Sequence, residues 1–275
     1  MKSFPFLFLL IVFSQITSPV AAAGAILVLG DSWASATGDY LKGICNPPFG
    51  SGGTEEREVQ NDGKSGSTAA EWASQELAKK SILKSKVDYQ YVWLSIGGND
   101  FIASSCDIDI IEDVTNNILK IISDIIDSSS NDNLKILFFG YSYPSDDICG
   151  GGKTAGLFEE TMAYQREAIV SSSYSERVEV IEISDYFVTS ASAPLSDERW
   201  YEDEIHLNIA GYIKLFSGLE VQQFFGCVAD DDHAPTPAPE SSLDTNHDST
   251  DYSAGEISNA VNLLGMFASL AVLFF

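Results

Sequence analysis

The chain has 275 residues, 45% hydrophobic, 20% charged and 11% aromatic, which excludes wholesale disorder, collagen-like repeats and a multi-span membrane protein. Its 40 Asp and Glu against 15 Lys and Arg give a formal net charge of -25. A phosphate-rich partner meets a repulsive field, and nucleic-acid binding is not expected.

Residues 1–23 join Lys2, an apolar run from Phe4 to Phe13 and the small residues Ala21-Ala22-Ala23, the layout of a secretory signal peptide with a mature chain starting near Gly24. A membrane anchor needs about 20 apolar residues, and Ser14, Gln15, Thr17 and Pro19 interrupt this run.

The next segments alternate between two periods. Ala25 to Leu29 is a continuous apolar run ending at Gly30, the pattern of a strand buried on both faces of a parallel sheet. Tyr89 to Ile96 and Leu134 to Phe139 repeat it. Val178 to Ile183 alternates with Glu179 and Glu182, which suits a strand nearer an edge, and Glu58 to Gln60 reads as a short extra strand. Helical spacing occupies Ala69 to Ile82, Ile108 to Ile126, Leu157 to Ser172 and Asn208 to Phe225. The segment Ser35 to Glu58, with Pro47-Pro48 and glycines at 50, 52 and 53, reads as a long connection shaping a cleft. Strands alternating with helices of this length predict a doubly wound, three-layer α/β/α domain with a parallel sheet over residues 24–228. Sites in that architecture form outside the carboxyl ends of the strands.

Beyond the domain, Ala229 to Tyr252 holds seven acids and no Lys or Arg, a composition unable to bury enough apolar surface to fold; residues 229–256 read as an extended acidic stalk. Residues 257–275 end in an apolar run from Val261 to Phe275, with small residues upstream. This is the arrangement of a signal for attachment of a glycosylphosphatidylinositol (GPI) anchor; a tail anchor is the alternative. On either reading the protein sits at the extracellular face of a membrane. Cys45, Cys106, Cys149 and Cys227 all fall in the domain and predict two disulfides, with three pairings open. No CxxC pair points to zinc and no Asn-x-Ser/Thr sequon occurs.

Candidate chemistry begins where the first strand delivers Gly30-Asp31-Ser32 into a turn; the bland alternative is a helix cap. The chain has three histidines, and His233 and His247 lie in the stalk, leaving His206 as the domain's sole imidazole. A serine hydroxyl is a poor nucleophile without a base, and imidazole suits that work near neutrality. Asp203, three residues before His206, is close enough for a turn to bring its carboxylate to Nδ1. Acyl transfer also needs donors for an oxyanion. Gly66, in Gly63-Lys64-Ser65-Gly66-Ser67-Thr68, supplies a backbone amide, and Asn99, in Gly97-Gly98-Asn99-Asp100, supplies a side-chain amide.

Taken in order, Gly30-Asp31-Ser32, Asn61-x-Gly63-x-Ser65-Gly66-x-Thr68, Gly97-x-Asn99-Asp100 and Asp203-x-x-His206-Leu207-Asn208 resemble the four blocks of the SGNH hydrolases, also called the GDSL esterase/lipase family. The resemblance implies a flavodoxin-like sheet and Ser32 as nucleophile, with His206 as base oriented by Asp203. It also implies an oxyanion hole from the Ser32 amide, the Gly66 amide and the Asn99 side chain, and no metal or organic cofactor. The expected substrate is a carboxylic ester on a glycan or lipid. Trp33 stands where many members have Leu, and no Gly-x-Ser-x-Gly elbow of the α/β-hydrolases occurs. The rival reading is a surface binding protein on the same fold, gripping a glycan or lipid with Trp33, Tyr141, Tyr143, Trp200 and Tyr201. Oligomeric state is left open.

Overall fold

The computed structural model describes residues 24–51, 55–141, 148–149, 154–182, 200–203 and 205–228. They belong to the first of two units, Met1–Asp232; the second, His233–Phe275, and the leader lie outside the described residues, as do the stalk and anchor. Five strands, β1 (Ala25–Gly30), β2 (Val59–Asn61), β3 (Tyr89–Ser95), β4 (Lys135–Gly140) and β5 (Val178–Glu182), form one all-parallel sheet in the order β2-β1-β3-β4-β5. The doubly wound expectation holds, with β5 at an edge.

All six residues of β1 are buried, because its odd and even side chains enter different cores. Leu27 and Leu29 pack with α2 (Ala69–Ser74), α5 (Ile111–Ser128) and α6 (Thr154–Val170); Ile26 and Val28 pack with α1 (Ser32–Lys42), α7 (Ile209–Phe216) and α8 (Leu219–Phe224). The stripe of α5, Ile111, Val114, Ile118, Ile121, Ile122 and Ile125, is buried throughout. Each such side chain contributes roughly 1.5–3 kcal/mol by leaving water.

Two expected helices are each divided. The span from 69 to 82 breaks into α2 and α3 (Leu77–Lys84), because Glu76 adopts φ 49° and directs the chain out of the helical path. The span from 208 to 225 breaks at Gly218, which is extended between α7 and α8. The segment from Ser35 also differs from its reading as a connection, since α1 runs to Lys42. The inner face of α1 is Trp33, Ala34, Thr37, Gly38 and Leu41, spaced for a helix but too small and polar for the pattern to register. Gly38 is small for a reason: a Cβ there would collide with the Asn61 side chain, whose Nδ2 donates to the Ser35 carbonyl at 2.8 Å.

The disulfides pair Cys45 with Cys227 and Cys106 with Cys149. Beside the first, buried Arg57 donates to the carbonyls of Gly24 and Phe225 and its guanidinium lies 5.2 Å from the centroid of the Tyr91 ring. Among the described residues no helix is long and apolar enough to cross a membrane.

Candidate active site

From β1 the chain runs to the edge strand β2 on one side and then crosses to β3 on the other, so the carboxyl ends of β1 and β3 flank the switch point where such sheets leave a crevice. Glycine is required where β1 ends. Gly30 has φ 129°, and a Cβ on it would strike the Ser95 carbonyl oxygen, the group that accepts the Asp31 amide at 3.0 Å. Closing on Ser95 in this way, the backbone turns at once into α1, with Asp31 as N-cap and Ser32 as its first residue.

His206 arrives on a separate loop. The Glu202 amide donates to the His206 carbonyl at 2.9 Å and the Asn208 amide to the Trp200 carbonyl at 2.8 Å, around an antiparallel bridge between Tyr201 and Leu207. Within that loop Asp203 Oδ1 accepts the amides of Ile205 and His206 at 2.7 and 2.6 Å, and its Oδ2 lies 2.7 Å from His206 Nδ1. A carboxylate only accepts, so Nδ1 carries the proton and Nε2 is left as acceptor. Nε2 is 2.9 Å from Ser32 Oγ. Partial burial opposes charge on Asp203, but the amides and imidazole that donate to it outweigh burial and hold its carboxyl below the ordinary value.

The remaining candidates sit on two loops joined to each other. Asn99 lies in the first turn of α4 (Gly98–Ala103), and its Nδ2 donates one hydrogen to the Ser67 carbonyl at 2.9 Å, which fixes the amide face and leaves a second hydrogen. Gly66 precedes Ser67 at φ 75° and is exposed; its loop is tied to β1 by the Lys64 amide, 2.7 Å from the Gly30 carbonyl. Asp100 accepts the amides of Ala69 and Ala70 at 2.7 and 3.2 Å, holding α2 against α4.

A cavity of about 60 Å³ is lined by Ser32, His206 and Asn99 together with Asp31, Trp33, Gly98, Ile102, Tyr141, Phe158 and Ile205. Gly66 is not in its lining, and Asp203 stands behind the imidazole. Of the five aromatics in the binding-protein reading, Trp33 and Tyr141 line the cavity; Tyr201 is buried, Trp200 lies under the Lys214 ammonium at 4.5 Å, and Tyr143 is outside the described residues.

Reasoning from local patterns missed one relationship. Tyr141 Oη, at the end of β4, donates to Asp31 Oδ2, while Asp31 Oδ1 accepts the Trp33 amide at 3.1 Å. Asp31 is therefore the helix cap, and its second carboxylate oxygen is held by Tyr141. Burial pushes its carboxyl up to about 7, against the pull of the Tyr141 hydroxyl, the Trp33 amide and His206, and with some help from Asp100. Burial likewise raises Asp100 and, with the Asp31 charge, Tyr141. The only sequence signal was position, since each follows a buried strand. Among the described residues no group of three His, Cys, Asp or Glu is arranged to hold a metal ion.

No family model matches the chain, and no curated protein matches it in sequence. Solved structures do match in fold. A catalytic mutant of Axe2, an acetylxylan esterase from Geobacillus stearothermophilus, aligns at TM-score 0.52 and 14% identity, covering 74% of this chain and 94% of that one. A second catalytic mutant of the same enzyme aligns at TM-score 0.51 and 13% identity over the same shares. A carbohydrate esterase family 3 protein from Talaromyces cellulolyticus aligns at TM-score 0.49 and 15% identity, covering 75% and 100%. The fold, which the two Axe2 comparisons carry, is that of the SGNH hydrolases.

Proposed function

We propose that residues 24–228 are a serine esterase acting on O-acyl esters, exported by the leader and held at the outer membrane surface through the acidic stalk and a GPI anchor. The observation that carries the catalytic part is the relay from Asp203 Oδ2 to His206 Nδ1 at 2.7 Å and from Nε2 to Ser32 Oγ at 2.9 Å. His206 Nε2 takes the hydroxyl proton as Ser32 Oγ attacks the ester carbonyl, then returns it to the leaving alkoxide; water repeats the cycle on the acyl-enzyme. Asn99 Nδ2 and the amides of Ser32 and Gly66 are the assigned donors to the oxyanion. Neither amide has an acceptor among the described residues, and each such donor is worth roughly a hundredfold or more in rate. Asp203 keeps the imidazole in the tautomer that accepts from the serine. The esterase named among the structural neighbours makes O-acetyl groups on carbohydrates the class to assay first.

The test is labelling of the folded protein by a fluorophosphonate serine-hydrolase probe, wild type against Ser32→Ala. Labelling lost in the variant supports the reading. Equal labelling of both, or of neither, returns the protein to the binding-module reading. Release from cells by a phosphatidylinositol-specific phospholipase tests the anchor separately; full retention favours a tail anchor.

A further inference from the structure

Resting on that esterase reading, we propose that the cavity beside Ser32 is an acyl pocket sized for an acetyl group, closed by Tyr141 and Phe158. Direction comes first. In the tetrahedral intermediate the leaving oxygen faces His206 Nε2, its proton source, and the oxyanion faces Asn99. The acyl substituent takes the direction that is left, away from His206 and along the α4 side of the cavity. Ile102 lies three residues after Asn99 on the same helix face, the Tyr141 ring packs on Gly98, and Phe158 lies beside Tyr141.

Size comes second. An apolar cavity of roughly 150 Å³ takes up a benzene ring, so one of about 60 Å³ is well short of that and suits a group of a few heavy atoms, such as an acetyl.

The end wall is braced on every side the structure describes. The Tyr141 ring packs on Gly98, where a Cβ would stand 3.0 Å from it, and its hydroxyl is held by Asp31. Edge-on contacts join it to Trp33 at 5.9 Å and to Phe158 at 6.5 Å between ring centroids, and Phe158 leans on Phe101 at 6.2 Å. Trp33 and Phe158 are 1% and 4% exposed. Toward Tyr141 and Phe158 a longer acyl chain would have to displace packed rings, since close-packed interiors yield little.

The experiment compares kcat/KM for p-nitrophenyl acetate, butyrate and octanoate in the full-length protein, alongside fluorophosphonate labelling. Wild type is expected to lose at least tenfold from acetate to butyrate and more to octanoate. Phe158→Ala is expected to raise the octanoate-to-acetate ratio at least tenfold. Ile102→Ala, at a partly exposed position, is expected to move the ratio the same way without burdening the fold. Tyr141→Phe keeps the ring and is expected to keep the acetate preference. Labelled wild type with no chain-length preference, or Phe158→Ala and Ile102→Ala proteins that both keep the wild-type ratio, overturns the pocket assignment and leaves the serine-esterase reading standing. Folded wild type that neither labels nor cleaves any of the three esters overturns both.

Discussion

Replacing Asp31 by Asn separates the charge of a buried carboxyl from its shape. The Asp31 carboxyl is pushed from 3.8 up to about 7, chiefly by burial. Between those values the native state keeps a proton that the unfolded chain has released. Stability therefore falls as pH rises, by about 1.4 kcal/mol per unit and by about 4 kcal/mol over the full window. Below the unfolded value the penalty is absent; above the folded value it is complete. Asp31→Asn removes the titration and keeps the contacts. Its Oδ1 still accepts the Trp33 amide, its Nδ2 donates to Tyr141 Oη, and Asn caps a helix as well as Asp does. Urea unfolding of both proteins, disulfides intact, at pH values from about 4.5 to about 7.5 is the assay. The stability of the variant relative to wild type is expected to rise by roughly 3 kcal/mol across that range, other titrations cancelling in the difference. A gap constant to within about 0.5 kcal/mol would refute the reasoning, because Asp31 would then titrate alike in both states.

On the proposed esterase reading, Asn99→Ala should lower kcat by about 10² to 10³ with little change in KM, since its second amide hydrogen would then serve the transition state; steady-state kinetics on any cleaved ester decides this. Asp203→Asn should fold normally and lose about 10⁴ in kcat by admitting the wrong imidazole tautomer, and a loss under about tenfold would contradict the role. Gly30→Ala should destabilise by more than about 3 kcal/mol in urea, because both the positive φ and the Ser95 carbonyl forbid a Cβ there. Replacing Cys45 and Cys227 together by Ala should cost about 2–5 kcal/mol, reflecting a closure between residues 182 apart. A thermal scan with unchanged midpoint would contradict it.

The layers of the fold were legible because burial on two faces writes a continuous apolar run, as in β1, and burial on one face writes a stripe, as in α5. Interruptions of helices were not. Glu76 enters the left-handed region with no glycine to announce it, and α1 hides because its inner face presents Thr37 and Gly38 to a close neighbour rather than Leu or Ile. Spacing alone left the disulfide pairing open, since four cysteines fit three patterns until Cys45, just after α1, is known to meet Cys227, just after α8.

The site divides along the same physical line. Each short block carries its own turn, cap or carboxylate-amide bond within a few residues, as Asp203 does for His206, so the groups were readable where they stand. What joins the blocks depends on strand order, which sets which carboxyl ends share an edge. Ser32 meets His206 across 174 positions and Tyr141 meets Asp31 across 110. The second of these contacts left no mark on the local sequence, because a tyrosine following a buried strand looks the same whether its hydroxyl reaches water or a carboxyl. Only the order β1-β3-β4 puts the end of β4 within reach of the residue after β1, and only the burial that follows gives that carboxyl its raised affinity for a proton. Thus the candidate groups are a property of short segments, whereas the shape of the cavity beside them is a property of the whole sheet.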